Sequence, residues 1–213
     1  MFPSIEIQHI KKSFRDHVIL NDVNLRMLGG HIYGIIGRNG SGKTVLMRCI
    51  CGFTPVDSGI IVVNGRITSQ HNIISEDIGS LIETPGFLPY LSGFDNLKTL
   101  ALFRGKATDN YIKQLMLAFG LDVNSRKHVR KYSLGMKQKL GIIQALMEDP
   151  SALILDEPMN SLDRETVQTV RNTLLKKKEE GKIIMIASHV REDIDCLCDE
   201  VYEISNGIMI RTD

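Results

Sequence analysis

The chain has 213 residues, enough for one domain with a substantial core, and its 43% apolar and 24% charged residues are ordinary for a globular protein. A net charge of +1 gives no electrostatic footprint for nucleic acid, so no nucleic-acid partner is expected. No apolar run approaches the roughly 18–20 residues that span a bilayer, and residues 1–10 lack the basic start and apolar stretch of a secretory signal.

At the N-terminus Ile5 and Ile7 alternate with Glu6 and Gln8, the pattern of a half-buried strand. Arg15, Asp16 and His17 can turn it, and residues 18–25 supply another strand or two. Residues 31–36 form a mostly apolar run of strand length, followed by a glycine-rich loop and an apolar segment over residues 45–51. The order is strand, loop, helix. Ile60, Ile61, Val62 and Val63 form a short β-branched strand, with Asn64-Gly65 behind it as a hairpin turn signal. Residues 77–82 read as another strand.

From about residue 94 to residue 120 the pattern is helical, with Tyr111, Leu115 and Ala118 at helical spacing, and a separate helical lobe is expected. Met136, Leu140, Ile143 and Met147 mark one face of a further helix. Ala152, Leu153, Ile154 and Leu155 form a fully apolar strand ending in two acids. A helix over residues 163–180 follows, with Val167, Val170 and Leu174 inward and Gly181 as its stop. Residues 183–186 form another buried strand. Apolar strands alternating with helices indicate a parallel sheet covered on both faces. Lys176, Lys177 and Lys178 fit a solvated helix end favoured by the helix dipole. Cys49 and Cys51, like Cys196 and Cys198, are separated by one residue and not by the two-residue gap of a metal or redox motif, so free thiols are expected.

Two segments carry chemistry. Gly37-Arg38-Asn39-Gly40-Ser41-Gly42-Lys43-Thr44 fits the phosphate-loop pattern G-x-x-x-x-G-K-[ST], between a predicted strand and a predicted helix. Glycines let backbone N–H groups converge on phosphates, and the helix directs its positive end at the same anion. Lys43 is suited to the β- and γ-phosphates, and Thr44 offers a hydroxyl to Mg²⁺. Asp156 and Glu157 end a buried strand, where ligands bind in open α/β sheets. Asp156 is expected to hold Mg²⁺ and Glu157 to act as general base toward water. ATP and Mg²⁺ are the expected ligands.

Tyr132-Ser133-Leu134-Gly135-Met136, a short distance before the acidic strand, resembles the signature of the ABC ATPase family, usually L-S-G-G-Q. Ser133 and Gly135 match; Tyr132, Leu134 and Met136 depart. The resemblance covers nearly the whole chain and implies further roles. Ser133 caps a helix whose N-terminus meets the γ-phosphate of ATP held by an opposite subunit, with Leu134, Gly135 and Met136 beside it. Ser161, Leu162 and Asp163 resemble the interface D-loop, and His189 the switch histidine. Phe14 stands where the family stacks an aromatic on adenine, with core packing as the competing role. Glu83 stands where glutamine is usual, as a further Mg²⁺ ligand, and Val45 follows Thr44 where a second hydroxyl is common.

Glu83 with its following residues, and Ser133-Leu134-Gly135-Met136-Lys137-Gln138, resemble the bacterial branch associated with bacitracin and lantibiotic export or self-protection. The resemblance implies an α/β P-loop NTPase core on a mainly parallel sheet, with an N-terminal antiparallel β portion and an inserted helical lobe. One ABC ATPase domain over residues 1–213 is expected, with a core at about 1–86 and 150–213 and the lobe at about 87–149. The implied partners are transmembrane permease subunits and a second ATP-binding subunit, like or unlike the first. The implied location is cytoplasmic, at the inner face of the cell membrane. A soluble ABC ATPase uncoupled from transport, or a slow regulatory module, are the alternatives. The loop from Glu83 to Leu91, with Pro85, Gly86 and Pro89, is expected to be the hinge to the lobe, presenting Phe87, Leu88 and Tyr90 to a membrane partner or packing them inside the lobe.

Overall fold

The structure, a computed structural model, describes residues 3–69, 77–83 and 86–212. Pro85, placed by the sequence in the hinge loop, lies outside the described residues. Strands β1 (Ser4–Phe14) and β2 (His17–Leu28) form an antiparallel hairpin that turns at Arg15 and Asp16. The alternation of Ile5 and Ile7 does not continue to residue 9. His9 has φ 53° and the register slips there, so Ile10 is the next fully buried position. This is a β-bulge, and it twists the hairpin over the core. After β3 (His31–Ile36) and helix α1 (Lys43–Ile50), β4 (Ser58–Val63) and β5 (Arg66–Ile67) join an antiparallel sheet whose order among the described residues is β2-β1-β4-β5. Asn64 and Gly65, both at positive φ, make its turn.

The second sheet holds β3 with β6 (Ile78–Leu81), β7 (Ala152–Asp156), β8 (Ile183–Ala187), β9 (Glu200–Ser205) and β10 (Ile208–Arg211). Its order is β10-β9-β3-β8-β7-β6, parallel throughout except for the β10 edge. The pleat divides the apolar strands between two cores. Ile32, Leu153, Leu155, Ile184 and Ile186 face the helical side, while Tyr33, Ile35, Ile154, Ile183 and Met185 face α1 and the antiparallel sheet. Each such Leu or Ile, fully buried, contributes about 1.5–3 kcal/mol relative to exposure.

Between β6 and β7 lie α2 (Gly93–Arg104), α3 (Asp109–Ala118) and α4 (Leu134–Leu146). The single helical stretch expected over residues 94–120 is two helices. Gly105, left-handed at φ 71°, ends α2, and Thr108 caps α3 by accepting the Tyr111 N–H. The link is pinned from below: buried Glu148 accepts the N–H groups of Lys106 and Ala107 through Oε2. Leu97, Ala101, Met116 and Leu140 of these helices share one continuous core with Leu153 and Ile184 of the sheet. Strand β6 reaches α4 because Gly79 has no side chain: a Cβ there would lie 2.0 Å from the Ala145 carbonyl oxygen. Helices α5 (Arg164–Glu179) and α6 (Arg191–Leu197) cover the same face further along. Among the described residues the four cysteines are free, and burial pushes the thiols of Cys49 up to about 11 and of Cys51 and Cys198 up to about 12.

Candidate nucleotide-binding site

The phosphate loop leaves the end of β3 and enters α1 at Lys43. Two of its glycines are required by close approach. At Gly37, φ 145°, a Cβ would lie 2.4 Å from the Ile204 carbonyl oxygen; at Gly42, φ 111°, one would lie 3.0 Å from that of Ile19. Arg38, Asn39 and Gly40 are exposed at the loop's crest. Lys43 curls over the loop, its Nζ donating to the carbonyls of Gly37 at 2.7 Å and Arg38 at 3.2 Å. The Ser41 hydroxyl is buried and has no hydrogen-bond partner among the described residues. Such a donor costs stability unless something fills its valence, and a phosphate oxygen in the loop would.

Thr44 Oγ1 donates to Asp156 Oδ2 at 2.6 Å, which joins the phosphate loop to the acidic end of β7. Among the described residues no cluster of three His, Cys, Asp or Glu is arranged to hold a metal. Mg²⁺ does not need one, because it takes one or two protein oxygens and completes its shell with phosphates and water. The adjacent hydroxyl and carboxylate of Thr44 and Asp156 fit that ion.

Glu157 sits at φ 49°, a left-handed conformation that costs a non-glycine residue on the order of 1–2 kcal/mol. Its N–H donates to Ala187 O at 2.9 Å, and the turn aims its carboxylate across the strand ends. Glu157 Oε2 lies 2.8 Å from Nδ1 of His189, which follows β8. Gln138, to which the sequence assigned no role, donates from Nε2 to the carbonyls of Glu157 at 2.9 Å and Pro158 at 3.1 Å. Helix α4 thereby grips the segment that presents the Glu157 carboxylate.

These groups border a groove of about 690 Å³ lined by Phe14, Lys43, Thr44, Glu83, Asp156 and Glu157, with Val45 in its wall. Phe14, at the tip of the first hairpin, is 48% exposed on this groove, so it presents a ring face and does not pack in a core. Lys12 Nζ lies 5.2 Å from that ring. Glu83, at φ 59°, is paired with Arg48 of α1 at 3.3 Å, another contact between residues distant in sequence.

Ser133 caps α4, its Oγ accepting the Met136 N–H at 3.2 Å. Leu134, 60% exposed, reaches the same groove, and Met136 packs against the core. Gly135 lies against Ser161: a Cβ there would be 2.6 Å from the Ser161 carbonyl oxygen. Ser161 is itself left-handed at φ 63°, and Leu162 packs against the helical-side core. Asp163 caps α5, and hydrogen bonds from the N–H and hydroxyl of Thr166 hold its carboxyl down to about 2. Ser133, Gly135 and residues 161–163 are thus brought together within one chain.

A phosphate loop after β3 of a parallel sheet, with Asp156 and Glu157 at the end of β7 one strand further across, defines a P-loop nucleoside triphosphatase. The ABC transporter family model matches residues 20–160, and the chain belongs to that family as an ATP-binding, ATP-hydrolysing cassette. It is 38% identical over 206 residues to the lantibiotic transport ATP-binding protein SrtF of Streptococcus pyogenes, covering 97% of this chain and 89% of that one. It is 36% identical over 208 residues to the bacitracin transport ATP-binding protein BcrA of Enterococcus faecalis, covering 97% and 68%. The uncharacterized ABC transporter ATP-binding protein YybJ of Bacillus subtilis is 37% identical over 203 residues, covering 95% and 93%. The fold matches an ATP-binding subunit of an ABC transporter at TM-score 0.90, with 24% identity over 98% of this chain and 89% of that one. It matches the dimeric cassette MJ0796 at 0.87, with 19% identity over 97% of each chain.

Proposed function

We propose that this chain is the motor of a bacterial exporter or self-protection transporter for antimicrobial peptides or drugs, working as a peripheral subunit at the cytoplasmic face of the cell membrane. The kinship with transport proteins named for bacitracin and lantibiotics supports the substrate class. No helix among the described residues is long and apolar enough to cross a membrane, so permease subunits would carry the path. The observation that carries the mechanism is the row Lys43, Thr44, Asp156 and Glu157 along one groove, with His189 Nδ1 2.8 Å from the Glu157 carboxylate.

In this reading Phe14 stacks on the adenine, and the backbone of residues 37–44 with Lys43 and Ser41 cradles the phosphates. Thr44 and Asp156 hold Mg²⁺, with Glu83 as a further oxygen whose charge Arg48 offsets. The ion offsets charge on the β- and γ-phosphates. Glu157 Oε2 takes the proton of the attacking water, and His189 holds that carboxylate and the γ-phosphate in line. ATP lies between two chains head to tail, so the site is completed by Ser133 of the partner subunit and Gly135 of the partner subunit, and residues 161–163 cross the interface.

Residues 87–149 form the lobe that shifts when the dimer closes. Beside it, a cavity of about 500 Å³ lined by Phe53, Leu88, Leu100 and Phe103 opens between lobe and core. Phe103, in that lining, is 84% exposed, and Leu102 and Tyr90 are 78% and 60% exposed, apolar surface suited to a permease segment. Phe87 is half-buried: it lines the same cavity and packs against the helical-side core. The test is purification of the tagged chain from membranes with identification of what accompanies it. An integral membrane protein retained by wild type and lost on Phe103→Asp is expected; a stable complex without any membrane protein overturns the transport reading.

A further inference from the structure

The turn that carries His189 has an anchor buried behind it, away from the groove. Ser188 is 4% exposed and Asp193 2%. Ser188 Oγ donates to Asp193 Oδ2 at 3.4 Å and accepts the Val190 N–H at 3.1 Å. Asp193 returns a bond to the same turn, its N–H donating to Val190 O at 3.1 Å. Its other carboxylate oxygen, Oδ1, accepts two donors from a single guanidinium: Arg171 Nη2 at 2.6 Å and Nε at 3.2 Å. The third arm of Arg171 donates to Glu192 Oε1 at 2.9 Å. Arg171 stands on α5, about two turns beyond its Asp163 cap.

Two features separate this arrangement from a staple between α5 and α6. The His189 side chain is 61% exposed, so its direction rests on the Nδ1 contact with Glu157 Oε2 and on the backbone of residues 188–190, and not on packing around the imidazole. The N-cap of α6, Val190, makes no side-chain cap hydrogen bond, and the Asp193 carboxylate is what ties α6 to the Ser188 hydroxyl. Apolar packing would also join the two helices, whereas a buried carboxylate is costly unless fully paired. The charged link fixes an orientation: it holds residue 188 by its hydroxyl and residue 190 by its amide and carbonyl, on both sides of the histidine.

We propose that Arg171, acting through Asp193 and Ser188, is a positioning residue that sets the turn carrying His189 against Glu157. The proposal rests on the reading of His189 and Glu157 as the hydrolytic pair, and the test separates the two. The full chain is assayed for ATP hydrolysis as Ser188→Ala, Ser188→Thr, Arg171→Gln and His189→Ala. The imidazole ¹⁵N resonance of His189, one of six histidines, is assigned by its absence in His189→Ala. Ser188→Ala and Arg171→Gln are expected to lower kcat by about 10- to 100-fold, the scale of a roughly 1 Å misplacement. KM for ATP should move by less than about twofold, the His189 resonance should shift and broaden without nucleotide, and Ser188→Thr should restore both rate and resonance. If both variants fold, keep wild-type kcat and leave the resonance in place while His189→Ala is inactive, positioning is refuted and the role of His189 stands. Wild-type turnover in His189→Ala overturns the role of His189 and the proposal with it. A lost rate with an unmoved resonance, or without rescue by Thr, reduces the network to a structural staple and also overturns the proposal. Should Arg171→Gln fail to fold, Ser188→Ala decides alone, since it removes one oxygen and no charge.

Discussion

Glu157 combines a demanding backbone with the acid-base role proposed for it, so two substitutions at this one position separate stability from chemistry. Glu157→Gln keeps the shape and removes the base. Losing a general base costs about 10²- to 10⁴-fold in rate, or roughly 2.7–5.4 kcal/mol at the barrier. ATP binding should persist, and gel filtration with Mg-ATP should show an unhydrolysed dimer. Glu157→Gly removes the same base but also releases the strain of φ 49°, worth about 1–2 kcal/mol. Glycine's extra freedom in the unfolded chain offsets up to about 1 kcal/mol of that. A net gain of about 1 kcal/mol in a chain of 213 residues raises Tm by about 2 °C. Single-turnover hydrolysis and scanning calorimetry on both variants give the answer. A Gln variant retaining more than about a tenth of the wild-type rate refutes the base assignment. A Gly variant that melts several degrees below wild type refutes the account of the turn.

Lys43→Ala should lose measurable binding of a fluorescent ATP analogue while the fold is kept; unchanged affinity would remove the lysine from the phosphate site. Gly79→Ala drives a Cβ toward the Ala145 carbonyl from 2.0 Å, so β6 and α4 must part; a loss of about 3 kcal/mol in urea unfolding is expected, and none would contradict the contact. Asp163 has its carboxyl held near 2 in the fold against an ordinary value of 3.8, so its contribution is complete above about pH 4 and fades as pH falls toward 2. Asp163→Asn keeps a competent cap without the titration, so its urea midpoint should fall less steeply than that of wild type across that window; parallel curves would exclude Asp163 as a source of acid sensitivity.

The parts of this site that the sequence makes legible are those in which chemistry and local structure coincide. Residues 37–44 must be turn and helix start after a strand in order to bind phosphate, and Ser133 and Asp163 cap their helices in the plain pattern. What it hides is non-local. Nothing in the spacing tells that Gln138 will hold the carbonyl of Glu157, or that Arg171 will face Asp193, because those pairs exist only once α4 and α5 lie on the sheet. Strands β9 and β10 escape for a different reason: their pattern interleaves Glu200, Glu203 and Arg211 with apolar residues that stay half exposed, so neither a buried run nor a clean alternation shows. The break between α2 and α3 had a local signal, Gly105 followed by Thr108 and Asp109, which the helical spacing on either side masks.

The core beneath α2, α3 and α4 does not stop at the edge of the lobe but runs without interruption into Leu153, Leu155 and Ile184 of the sheet. A body rooted in its neighbour by a close-packed interior cannot swing like a door on two loops, because opening such a seam would flood it with water. Its permitted travel is that of one card sliding over another, with side chains changing partners by small steps. Any stroke passed to the proposed membrane partner would then be short and stiff. Because the two bodies share one interior, heat should melt them together in one calorimetric transition.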